Sequence, residues 1–160
     1  MSTENAPPPA VAKVEGISPH ILVVRAPYYR IVVDGLTTGA ERILREAGAT
    51  TEILDVAGSY ELPQAIRLAV RGIVRFDGFV ALGCILRGET DHYEFISRAS
   101  MEGIMRVSLQ FGICVGTGLL TCDSLAQAEA RSGLDGYNKG AEAAVAVLSQ
   151  IAAARRLGAM

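Results

Sequence analysis

The chain has 160 residues, with 15 Lys and Arg against 17 Asp and Glu and a formal net charge of −2 at pH 7. This length suits one domain with a core that needs no disulfide or metal staple, and the near-neutral charge excludes a protein that grips nucleic acid through a basic surface. Half of the residues are hydrophobic, 20% are charged and mean hydropathy is +0.30, which excludes wholesale disorder and leaves apolar surface for other subunits or for a large core.

Residues 1–18 open with Pro7, Pro8 and Pro9 and offer little to pack, so a flexible arm is expected there and a single α/β domain over 19–160. The arm has no signal-peptide pattern, and no apolar run reaches the ~18 residues of a membrane span. Cys84, Cys114 and Cys122 are an odd number at wide spacing, without a CxxC pair or a zinc-like cluster. Free buried thiols and a cytoplasmic location follow as expectations.

From His20 onward strand and helix periods alternate. His20–Arg25 reads as a strand covered on both faces. Val32–Ala47 has a helical apolar stripe, with Gly48 where a C-terminal cap belongs. Thr50–Val56 is a β-branched strand, and Leu62–Arg71 is a helix with Pro63 in its first turn. Gly78–Leu86 is the most apolar strand, followed by a long helix over Asp91–Phe111. Ile113–Leu120 reads as a fourth strand and Ser124–Arg131 as a short helix. A turn over Gly133–Tyr137 then leads to an Ala-rich helix over Asn138–Leu157. The order β-α-β-α-β-α-β-α-α predicts a three-layer α/β sandwich with a four-stranded parallel sheet and helices on both faces. Ligands of such sheets bind beyond the carboxyl ends of the strands, which directs attention to Ala26–Arg30, Gly58–Glu61, Arg87–His92 and Leu120–Asp123.

The segment Gly83-Cys84-Ile85-Leu86-Arg87-Gly88-Glu89-Thr90-Asp91-His92-Tyr93 runs from an apolar strand through polar residues into a helix. Amides of Gly88 to Asp91 near a helix N-terminus can hold an anion, and Thr90 adds a hydroxyl. The same pattern is also an ordinary helix start capped by Thr90 or Asp91. His92 lies in the first helical turn, where the positive helix end favours neutral imidazole, available as a base. Gly58-Ser59-Tyr60-Glu61-Leu62-Pro63 ends the second strand; Glu61 can accept hydrogen bonds from a polar heterocycle, or serve in a capping box. Arg131 and Lys139 flank the last turn and alone read as solvated charges. Gly116-Thr117-Gly118 lacks the third glycine of a dinucleotide fingerprint.

Taken together, Gly58–Pro63, Ala81–Tyr93, Gly118-Leu119-Leu120-Thr121 and Asn138-Lys139-Gly140 resemble the successive motifs of the 6,7-dimethyl-8-ribityllumazine synthase family, over about His20 to Leu157. The resemblance implies a flavodoxin-like fold and the penultimate step of riboflavin biosynthesis. In that step 5-amino-6-(D-ribitylamino)uracil condenses with 3,4-dihydroxy-2-butanone 4-phosphate, with no metal or organic cofactor. It implies His92 as the proton-transfer residue and Tyr28, Ser59, Tyr60, Glu61, Cys84, Ile85, Leu86 and Thr117 around the pyrimidine and ribityl chain. It places Glu89, Thr90, Arg131 and Lys139 around the phosphate, Glu89 acting through its backbone N–H. It further implies a homo-oligomer, a pentamer or an assembly of pentamers, in which Thr117 and Arg131 come from the adjacent subunit. Riboflavin synthase is the further partner implied, with no nucleic acid and no membrane.

Three departures from the family pattern stand out. Ala26-Pro27-Tyr28-Tyr29 replaces a more usual Ser-Arg-Phe-Asn, Thr117 stands where many members have Phe, and Glu89 brings a carboxylate to the phosphate loop. That carboxylate must point away, or pair with Arg87 or Arg131, for an anion to bind. The alternative reading is a non-catalytic flavin- or lumazine-binding or shell-forming relative on the same fold.

Overall fold

In the computed structural model, which describes residues 14–134 and 137–160, the most apolar segment forms a central strand of a parallel sheet. The strands are β1 (His20–Ala26), β2 (Thr50–Asp55), β3 (Gly78–Leu86) and β4 (Cys114–Cys122), in spatial order β2-β1-β3-β4. All three pairings are parallel. The helices are α1 (Arg30–Glu46), α2 (Leu62–Val70), α3 (His92–Phe111), α4 (Leu125–Ser132) and α5 (Lys139–Arg156), with a 3-10 turn at Ser59–Glu61. The alternating order and the expected three layers are present. Residues 1–13 of the expected arm, and 135–136 of the expected turn, lie outside the described residues.

Two apolar clusters cover the two faces of the sheet. One joins α1, α4 and α5 to Val23, Val80 and Leu82; the other joins α2 and α3 to Val24, Phe79 and Ala81. Neighbours along β1 and β3 thus point to opposite clusters, which is why both strands are apolar at nearly every position. Each fully buried large apolar side chain contributes about 1.5–3 kcal/mol, so these central strands anchor the fold. The α1 stripe Val32, Val33, Leu36, Ala40, Ile43 and Leu44 is buried, and the helix is followed by Gly48 at φ 73°, as its cap role requires.

β4 extends to Cys122, two residues beyond the expected end, because Ile85 and Leu86 of β3 pair with Thr121 and Cys122. The Arg87 N–H then donates to the Cys122 carbonyl at 2.9 Å. α5 packs tightly because it meets backbone rather than side chains. A Cβ on Gly116 would overlap the Ala143 carbonyl, and one on Gly140 the Leu36 carbonyl. Asn138 caps α5 through Oδ1, which accepts from the Ala141 N–H at 2.9 Å. Residues 14–17 are held against α5 by Arg155, whose Nη1 donates to the carbonyls of Glu15 and Ile17 at 2.7 Å each. Among the described residues, no helix is long and apolar enough to cross a membrane.

Candidate functional site

A cavity of ≈ 570 Å³ opens at the carboxyl ends of β1, β2 and β3. Tyr28 and Tyr29 line it from the turn after β1, Ala57–Glu61 from the turn after β2, and Cys84–Leu86 from the end of β3. His92 and Ile96, one helical turn apart, close it from α3. Parallel strands place these turns on one edge because every strand ends there. His20, the other histidine, stands at the opposite end of β1, with Nε2 3.1 Å from Glu52.

Ser59 is buried while Tyr60 and Glu61 are exposed to the cavity. The capping box that Glu61 offered as an alternative does not form: no side-chain cap bond is made at the start of the 3-10 turn or of α2. The carboxylate lies at the cavity edge, with Oε2 turned back close to Gly58 but without a cap bond. Tyr28 is 77% exposed and stands edge-on to Tyr29, with ring centroids 5.1 Å apart. Such a pair offers a ring face to a flat heterocycle. Burial, with a smaller contribution from Cys122, pushes the Cys84 thiol up to about 12. Cys84 is accordingly a neutral, apolar wall and not a nucleophile.

The loop after β3 carries the anion-binding amides. No acceptor among the described residues engages the N–H groups of Gly88, Glu89, Thr90 and Asp91, and beyond its chain neighbours no described atom lies within 4 Å of a Cβ built on Gly88. Asp91 makes no side-chain cap bond to α3, and Thr90 Oγ1 accepts from the His92 N–H only at 3.4 Å. These donors remain open to an anion at the positive end of a 20-residue helix. Arg87 does not pair with Glu89. Its Nε donates to Asp123 Oδ1 at 2.8 Å, its Nη1 lies 3.7 Å from Glu94, and its guanidinium stands over the Tyr93 ring at 4.4 Å. The Asp123 hydrogen bond raises the Arg87 pKa further. Among the described residues Glu89 makes no ion pair and is exposed.

The structure brings Tyr28, Ser59, Tyr60, Glu61, Cys84, Ile85 and Leu86 together with His92 in one cavity. Glu89 and Thr90 stand beside it on the preceding loop. Thr117, Arg131 and Lys139 do not line that cavity. Thr117 is exposed on β4, an edge strand of the sheet. Arg131 lies on α4 and donates to the Gln127 carbonyl at 2.8 Å, and Lys139 opens α5, 2.6 Å from Glu142. Tyr29 and Gly58, within the strand-end segments singled out by the sequence, also line the cavity, whereas Ala57 and Ile96 were missed as lining residues. Ile96 was accessible from its four-residue spacing to His92. Among the described residues, no three His, Cys, Asp or Glu side chains converge as a metal ligand set would.

Comparison with known proteins bears directly on this site. The family description 6,7-dimethyl-8-ribityllumazine synthase matches residues 18–155. The chain is similar to the 6,7-dimethyl-8-ribityllumazine synthase of Leifsonia xyli subsp. xyli, 42% identical over 152 residues that cover 94% of this chain and 95% of the relative. It is also similar to the enzymes of that name from Bartonella henselae, 41% identical over 87% of this chain and 90% of the relative, and Bartonella tribocorum, 39% identical over 88% and 93%. A match this long, over both core faces and every turn that builds the cavity, identifies the chain as a member of the 6,7-dimethyl-8-ribityllumazine synthase family.

Proposed function

We propose that this chain condenses 5-amino-6-(D-ribitylamino)uracil with 3,4-dihydroxy-2-butanone 4-phosphate to give 6,7-dimethyl-8-ribityllumazine, phosphate and water, the penultimate step of riboflavin biosynthesis. The observation that carries this reading is one cavity lined by His92, Glu61, Tyr28 and the Cys84–Leu86 wall, beside a loop of open amides. Tyr28 stacks on the pyrimidine, and Glu61 and the Ser59 to Tyr60 backbone take its polar edge and ribityl chain. The amides of Gly88 to Asp91, with Thr90 Oγ1, hold the phosphate.

The chemistry needs orientation and proton transfer. The substrate amine attacks the ketone and expels water to form an imine. Phosphate leaves by elimination, giving an enol that tautomerises to a new carbonyl, on which the ribityl-bearing nitrogen closes the ring with loss of another water. Holding both substrates together supplies much of the acceleration. His92, within reach of the joining atoms, moves protons in the imine and elimination steps, an effect of about 10²–10⁴-fold. Fixed N–H donors and Arg131 stabilise the departing phosphate.

The proposal includes a homo-oligomer in which Thr117, Arg131 and Lys139 complete the cavity of an adjacent subunit, in a pentamer or an assembly of pentamers. Their position on the β4 side, away from their own cavity, supports it. So do the exposed Phe95, Met105 and Leu109 on α3, apolar surface that a solitary subunit would leave in water. Riboflavin synthase is the further macromolecular partner in this proposal, and the three free thiols suit a cytoplasmic location. The test is to mix the protein with both substrates and follow lumazine absorbance and fluorescence. Steady product formation is expected; tight lumazine binding without turnover would instead make the chain a non-catalytic relative.

A further inference from the structure

We propose that Arg87 is a positioning residue that sets the shape of the anion loop and the placement of His92, an inference that rests on the site reading above. The loop 87–91 is exposed throughout, and among the described residues the side chains of its members 88–91 contribute only the long Thr90 to His92 bond. Such a loop has no intrinsic reason to hold one conformation. Arg87 supplies the missing constraint from its first position. Its N–H is fixed on the Cys122 carbonyl at 2.9 Å, which locks the start of the loop to the end of β4. Its side chain then reaches two ways. Nε bonds Asp123 at 2.8 Å, just past β4. The guanidinium covers the Tyr93 ring at 4.4 Å and approaches Glu94 at 3.7 Å, both in the first turn of α3.

One residue thereby joins the end of β3, the end of β4 and the turn that carries His92, whose chain neighbour is Tyr93. Exposed ion pairs contribute little to global stability, and Arg87 is about half exposed, so the value of these contacts is geometric. A displacement of the reacting groups by about 1 Å costs on the order of 10²-fold in rate. The guanidinium also occupies Asp123 and Glu94, two carboxylates that would otherwise face the phosphate loop uncompensated.

The experiment measures kcat, KM for each substrate and thermal midpoint for Arg87→Ala, Arg87→Lys, Asp123→Asn, the Arg87→Ala/Asp123→Asn double variant and His92→Ala. Positioning predicts that Arg87→Ala lowers kcat by about 10–100-fold while the oligomer and its midpoint are nearly unchanged. Arg87→Lys restores most of the rate, because an ammonium still reaches Asp123 and the Tyr93 face. Asp123→Asn also lowers kcat, although it removes a negative charge near the phosphate, and the double variant is no slower than Arg87→Ala alone. An unchanged kcat in a folded Arg87→Ala protein overturns the inference. So does a faster Asp123→Asn enzyme, which would reduce Arg87 to a charge screen, or a double variant whose losses multiply. His92→Ala separates the two readings. If His92→Ala is slow and Arg87→Ala is not, only the Arg87 inference fails. If His92→Ala runs at full rate, the site reading falls and takes this inference with it.

Discussion

The side-chain amide of Asn138 donates to the Ser132 carbonyl at 2.8 Å, tying the start of α5 to the end of α4. The same Nδ2 reaches the carbonyls of Gly133 at 3.1 Å and Gly35 at 2.9 Å, so α1 joins the knot, and Gly39 of α1 leaves the room that the side chain fills. Asn138 is only 2% exposed, so water cannot replace these bonds. Asn138→Ala should therefore cost about 2–3 kcal/mol, through unpaired carbonyls and a lost helix cap. Denaturant titration should show a lower midpoint with an unchanged slope; a midpoint equal to wild type would mean that this knot is not structural.

His92→Ala distinguishes catalysis from capping. A proton-transfer role predicts an intact oligomer, near-normal binding of both substrates and a chemical rate about 10–10³-fold slower. The loss stays incomplete because positioning alone retains much of the acceleration. A capping role predicts a lower thermal midpoint and unchanged turnover per folded subunit. Single-turnover rates measured beside thermal unfolding decide between them.

Arg131→Ala should raise KM for the butanone phosphate by about 10-fold or more and leave the pyrimidine largely unaffected, as loss of a charge-assisted phosphate contact requires. Equal weakening of both substrates would remove Arg131 from the phosphate site. Because Arg131 stands away from the cavity of its own subunit, mixing His92→Ala and Arg131→Ala proteins after dissociation and reassembly should regenerate some intact sites. Activity that never rises above that of the separate variants would contradict sharing between subunits.

Cys84 gives an alkaline signature. Its folded thiol titrates at about 12, above the ordinary value of 9.0, because burial disfavours the thiolate. The folded state therefore holds its proton more tightly than the unfolded chain. The corresponding stability is fully present below about pH 9 and is lost as pH rises toward 12. Between pH 8 and pH 10.5 the thermal midpoint of the native protein should fall more than that of Cys84→Ala. Parallel curves would show that this thiol does not set the alkaline limb.

The fold was legible because its signals are local. Alternating β and α periods, Gly48 after α1 and the unbroken apolar run of β3 act within a few residues, and they specify a doubly covered parallel sheet. His92 and the residues of three strand ends could be read for the same reason, since the carboxyl edge of a parallel sheet collects its turns. The sequence by itself also determined the family resemblance, because the order of motifs along the chain needs no coordinates.

Tertiary structure decided the rest. Whether Glu61 would cap a helix or face a cavity depended on where α2 begins, which packing fixes. Glu89 lies two residues from Arg87, yet the guanidinium turns to Asp123 and Tyr93, because the β3–β4 register brings Cys122 and Asp123 beside it. No spacing rule couples residues 87 and 123; only neighbouring strand ends do. The separation of Thr117, Arg131 and Lys139 from the cavity was likewise set by the strand order β2-β1-β3-β4, which puts β4 at an edge. Local chemistry named the candidate residues, and long-range pairing determined which of them meet within one subunit.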